Sequence, residues 1–168
     1  MPDYFDAFKK GLEAVDAAQV ARREINEVFA EVDRQLGEGT DGKIKIERKE
    51  YYVKPIGLAD LAGLASFSYA LSGKKRETYW AIIARNPLIP ESSEKELAKW
   101  SQDYAGYPCR IVWANTEQYC ADRESLELAL VTLLKDTEVV EKLTVLMRLE
   151  PPPPKEEIAQ QTDAADKE

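Results

Sequence analysis

Histidine is absent from all 168 residues of this chain. That removes Ser-His and Cys-His activation of a nucleophile. It also removes His-ligated zinc and the two-histidine, one-carboxylate iron site. Only two cysteines are present, Cys109 and Cys120. Two thiolates cannot close a structural zinc site, so no metal and no cofactor is expected. Glycine is sparse, and the cluster Gly37, Gly39 and Gly42 is followed by no Gly-Lys-Ser/Thr and preceded by no strand, so it is not a phosphate loop. No apolar run approaches the roughly 18 residues that a membrane helix needs. The first ten residues have acids ahead of their lysines and no apolar stretch, which does not fit a secretory signal. A cytoplasmic chain without a membrane association is the expectation. Its cysteines, set in Tyr107-Pro108-Cys109 and Tyr119-Cys120-Ala121, should be reduced and act as small buried hydrophobes.

What is present is charge, and it is unevenly placed. Residues 43–85 carry a net charge of +5, whereas the segments on either side are acidic and bring the whole chain to −8. Residues 1–150 read as one α+β domain. Residues 151–168 read as a Pro-rich linker, Pro151 to Pro154, and a disordered acidic tail with too little apolar surface to offset its ordering entropy.

Residues 3–36 read as one helix. Phe5, Phe8, Leu12, Val15, Ala18, Ala21, Ile25, Val28, Val32 and Leu36 follow one another in steps of three or four, with Asp3 placed to cap the start and Gly37 to end it. At 1.5 Å per residue that stripe is about 50 Å long, more than a small sheet covers. Phe5, Phe8, Leu12, Val15, Ile25, Val28 and Val32 are therefore the candidate interface with a partner or a second copy. The acids of the opposite face, from Asp6 to Asp33, read as a solvated surface, because Lys9, Lys10, Arg22, Arg23 and Arg34 dilute any phosphate-like spacing.

Downstream, Lys43–Ile46 and Tyr51–Val53 suggest a hairpin around the charged run Glu47 to Glu50, with Ile44, Ile46, Tyr51 and Val53 inward. Phe67 to Leu71 and Thr78 to Ala84 suggest a second hairpin. Ser93 and Glu96 have capping-box spacing, which predicts a short helix to about Tyr104. Cys109, Ile111 and Trp113 alternate as a strand. Asp122 and then Asp136 or Thr137 open two helices that end before Pro151. The fold predicted is α+β: an antiparallel sheet of about five strands, with the long N-terminal helix and two C-terminal helices packed on one face.

Two functions are compatible with this pattern. The first is a non-enzymatic protein-binding module, of adaptor, chaperone or inhibitor (immunity) type, that forms a homodimer through the N-terminal helix. The alternative is a nucleic-acid-associated protein using the basic aromatic segment 43–85, where Lys49, Lys54, Lys74, Lys75 and Arg76 lie among Tyr51, Tyr52, Tyr69, Tyr79 and Trp80. Rings beside cations hold single strands, yet the net charge of −8 opposes a phosphate backbone. The same lysines also suit strand edges that resist further pairing. Carboxylate chemistry would draw on Glu47, Glu50, Asp60 and Glu77, but their spacing selects no pair.

Overall fold

The computed structural model describes residues 2–53, 77–89 and 94–150. Helix α1 runs from Tyr4 to Gly39, with the Asp3 carboxylate accepting from the backbone N–H groups of Phe5 and Asp6, both at 3.0 Å. Five strands follow: β1 (Lys45–Tyr52), β2 (Thr78–Arg85), β3 (Lys95–Asp103), β4 (Gly106–Trp113) and β5 (Thr116–Cys120). They form one antiparallel meander in sequence order. Helices α2 (Arg123–Lys135) and α3 (Thr137–Arg148) close the described chain. The α+β architecture expected from the sequence is the one observed.

The core lies between the sheet and the helices. Ile25, Val28 and Phe29 of α1 meet Ile46, Ile82, Trp100 and Ile111 of the strands and Leu126, Leu130, Leu133, Val139 and Leu146 of α2 and α3 in one cluster. Helix α1 packs on β1 and β4, α2 on β5, and α3 on β3. Polar anchors fix this arrangement. The Asp33 carboxylate accepts from Ile46 N–H at 2.7 Å, and the buried Asn86 side chain donates to the Leu146 carbonyl at 3.0 Å. Both helices after the sheet begin on an aspartate cap. The Asp122–Ser125 pair is a reciprocal capping box, and Asp136 caps α3.

Two expectations are corrected. The charged run Glu47 to Glu50 is no turn: Lys45–Tyr52 is a single strand paired along its length with β2. Three of its four charges have partners across the sheet or on α1. Glu47 pairs with Arg85 at 2.9 Å and Lys49 with Glu94 at 2.7 Å. The Arg48 guanidinium lies 4.4 Å from the Phe29 ring centroid and 5.3 Å from that of Trp100, and donates to Asn26 and Gln102. Ile44 and Ile46 are in the core as expected, but Tyr51 falls on the other face and Val53 is exposed.

The segment from Lys95 to Asp103 is a strand, not the helix that Ser93 and Glu96 suggested. A bulge between Ile82 and Ile83 inserts Leu97 into the ladder, so Leu97, Ala98 and Trp100 all reach the core. The three-residue step from Leu97 to Trp100 is thus bulge spacing rather than helical spacing. Ser93 itself, the strand expected at Phe67 to Leu71 and the tail from Pro151 onward lie outside the described residues.

Candidate functional site

The feature that stands out is the N-terminal half of α1. Residues 2–17 are exposed without exception, and Ala18 is the first to be buried. The exposed stretch carries Phe5 at 66%, Phe8 at 61%, Leu12 at 50% and Val15 at 51% relative exposure. From Tyr4 to Ala17 it extends about 21 Å past the point of attachment. A helix of this length is marginal in water by itself, and the exposed apolar stripe makes it the candidate interaction surface.

The attachment point is well defined. The Arg22 guanidinium donates from Nε (3.0 Å) and Nη2 (2.6 Å) to the Tyr104 carbonyl and lies 4.7 Å from the Tyr104 ring centroid. Gly106, at φ +104°, lets the chain pass directly under Ala21. Tyr104 is 87% exposed, so the β3–β4 turn forms a solvent-facing collar where the helix leaves the sheet.

The seven candidate interface residues therefore divide. Phe5, Phe8, Leu12 and Val15 lie on the projecting arm. Ile25 and Val28 are buried in the molecule's own core, and Val32 packs against it, so these three are not available to a partner. The stripe that looked continuous advances by slightly less than one turn per step. At roughly 100° per residue it winds about 140° around the helix between Phe5 and Leu36, so its two ends face different directions. Sequence reasoning passed over Phe29, which packs edge-on to Trp100 at 5.1 Å and 88°. Its signal was present, one turn beyond Ile25.

The sheet surface facing away from α1 has a different character. The Tyr51 and Tyr79 rings stack at 5.8 Å, and their hydroxyls donate to Glu94 at 3.0 Å and to Glu96 at 2.9 Å. Burial, then the Glu94 bond, pushes the Tyr51 phenol up to about 12, and Glu96 raises that of Tyr79. The Lys49 ammonium holds the Glu94 carboxyl below its ordinary range. Of the candidate nucleic-acid contacts only Lys49 is described, and it is ion-paired. Lys54, Lys74, Lys75 and Arg76 lie outside the described residues. Among the described residues, Lys49 and Tyr51 are matched by Glu94 and Tyr79 by Glu96, which offsets positive charge that phosphate would need. Glu94 and Glu96, which hold it together, were not singled out in the sequence because nothing local marks their cross-strand partners.

A cavity of about 310 Å³ between β3, β4 and α3 is lined by Glu96, Lys99, Trp113, Asp136, Glu138 and Lys142 among others, with Trp113 Nε1 donating to Asp136 at 3.3 Å. Cys109 and Cys120 face each other across β4 and β5, free and buried. Burial, with Cys120 alongside, pushes the Cys109 thiol up to about 12, and burial also raises that of Cys120. Such thiols are protonated and poor nucleophiles. Among the described residues, no group of three or more Cys, Asp or Glu side chains could hold a metal ion, and no helix is long and apolar enough to cross a membrane. Comparison with protein-family models, with curated proteins and with solved structures gave no match to this chain.

Proposed function

We propose that the chain is a non-enzymatic protein-binding module, of adaptor, chaperone or inhibitor type, that docks through the projecting arm of α1. The observation that carries this reading is the exposure of Phe5, Phe8, Leu12 and Val15 together on one side of a helix segment none of whose described residues is buried before Ala18. Burying that stripe against another polypeptide removes apolar surface from water and stabilises the arm as a helix at the same time. The described sheet and the two helices after it form the base, with Arg22, Tyr104 and Gly106 setting the direction in which the arm leaves it.

The test is site-specific crosslinking. A photoreactive phenylalanine analogue is placed at position 8 of the full chain, expressed in the cells that naturally make it. Adducts to another polypeptide, whether a second copy or a different protein, are expected, and they should be lost when Leu12→Glu is added. The absence of any adduct would overturn the reading.

A further inference from the structure

We infer that the arm pairs with the arm of a second copy as a short antiparallel coiled coil, about a two-fold axis level with residue 10 and beside Gly11. This rests on the protein-binding reading above and names its partner. The spacing is the first argument. Phe5, Phe8, Leu12 and Val15 are separated by three, four and three residues, which are the alternating a and d positions of a heptad. That series is the same read in either direction and is centred on residue 10. A reversed copy therefore presents its knobs at the heights where the first copy has holes, and the two exposed stretches overlap over their whole length. The self-complementary patch is what a closed two-fold dimer requires.

Side-chain size favours the same orientation. In the antiparallel register Phe5 lies opposite Val15 of the second copy and Phe8 opposite its Leu12, so each layer combines a large ring with a smaller aliphatic group. A parallel pair would stack Phe on Phe in two layers and leave Val on Val in a third. The flanks agree. On one edge of the stripe stand Lys9 and Asp16, at the two e positions. In an antiparallel pair e faces e, and because Cα–Cβ bonds tilt toward the helix N-terminus, Lys9 of one copy leans toward Asp16 of the other, twice by symmetry. In a parallel pair these positions would face Tyr4 and Gly11 and find no opposite charge. Lys10 and Asp6, by contrast, pair with each other within the arm at 2.9 Å, outside the seam. On the other edge stand Gly11 and Ala18. Beyond the helix's own backbone and its chain neighbours, nothing comes within 4 Å of where a Cβ on Gly11 would lie. A glycine within a solvent-exposed helix weakens it, but next to the two-fold axis it lets the two backbones approach. Beyond the arm the seam positions become Gln19 and Arg22, and Arg22 is engaged by Tyr104, so the coil stops where the sheet begins.

Four seam residues per copy bury less than the roughly 1,200 Å² of a standard interface, so the expected dissociation constant is micromolar. Sedimentation equilibrium of the full chain from about 5 to 200 μM should pass from 19.0 kDa toward twice that mass. Lys9→Glu and Asp16→Lys should each weaken the dimer by roughly fivefold, and the double variant should return to within about twofold of the original, because the exchanged charges meet again across the axis. Circular dichroism and thermal melts check that each variant is folded. Orientation is read by mixing Phe8→Cys and Leu12→Cys proteins in a glutathione redox buffer, in which glutathione disulfide accepts the two electrons released as the thiols couple. The mixed disulfide, joining position 8 of one copy to position 12 of the other, should dominate both homodisulfides, the native thiols being buried. A monomer at all concentrations, dominant homodisulfides, or a double charge reversal that fails to restore association would each overturn the inference. A monomer whose position 8 still crosslinks to a different protein would refute the second copy while leaving the docking arm in place. A monomer with no adduct would remove both.

Discussion

Gly106 and Ala21 meet so closely that a Cβ on the glycine would lie 2.7 Å from the Ala21 Cβ and 3.2 Å from the Arg22 nitrogen. The glycine also has φ +104°, a conformation that L side chains avoid. This contact brings the start of β4 under α1 at the place where the helix leaves the sheet, so it fixes both the seat of the helix and the root of the arm.

Gly106→Ala should therefore destabilise the fold by about 1–3 kcal/mol, through overpacking and backbone strain together. Urea denaturation followed by tryptophan fluorescence measures it, since Trp100 and Trp113 are both in the core. An unchanged midpoint would mean that α1 shifts freely on β4.

The two halves of α1 should respond in opposite ways. Ile25→Ala, at a site with no exposure, should cost about 2–5 kcal/mol of stability. Leu12→Ala, on the arm, should change the stability of the dilute chain by no more than about 0.5 kcal/mol while weakening association. Urea melts at nanomolar concentration, compared with sedimentation at higher concentration, separate the two effects. Comparable stability losses at both sites would show that the arm is packed within its own molecule.

Alkaline pH should destabilise the protein from about pH 9 upward, a dependence that a fully exposed thiol would not give. Cys109 is pushed from an ordinary 9.0 up to about 12, and Tyr51 and Tyr107 from 10.0 up to about 12, in each case chiefly by burial. The folded state thus holds protons that the unfolded state releases. The stability linked to Cys109 is fully present below about pH 9 and is lost as pH rises toward about 12. Urea midpoints at pH 8, 9.5 and 10.5 should fall, and Cys109→Ala should flatten the part of the slope that begins near pH 9. Thiol titration with Ellman's reagent at pH 8 should be slow in the native protein and rapid in denaturant. Fast native labelling of two thiols would contradict their burial.

Single-stranded nucleic acid should bind no tighter than roughly 10⁻⁵ M at physiological salt, which is the non-specific range. Lys49 is held by Glu94, and the chain as a whole carries −8. Fluorescence anisotropy with a labelled 20-mer at low and physiological salt measures this. Submicromolar binding lost on replacing Lys74, Lys75 and Arg76 together would restore the basic segment as the functional surface.

Of the site, the arm was legible in the sequence and its limit was not. The apolar steps from Phe5 to Leu36 announce a helix too long for its sheet, but nothing in them says where the sheet ends. That boundary is set by Arg22 reaching the Tyr104 carbonyl, 82 residues away in the chain. Phe29 escaped the stripe because a winding surface was read as a straight one.

The sequence by itself determined what depends on neighbours three or four residues apart: the three described helices, the aspartates that cap them, and the inward alternation of Cys109, Ile111 and Trp113. The tertiary structure decided what depends on partners across the sheet. Glu47, Arg48 and Lys49 became the middle of a strand because Arg85, the Phe29–Trp100 ring pair and Glu94 receive their charges. Lys95–Asp103 became a strand because a bulge opposite Ile82 and Ile83 carries Leu97 inward. Strand pairing, unlike the helix, takes its hydrogen bonds from residues remote in the chain. Only the assembled sheet could settle which part of α1 is core and which part reaches out.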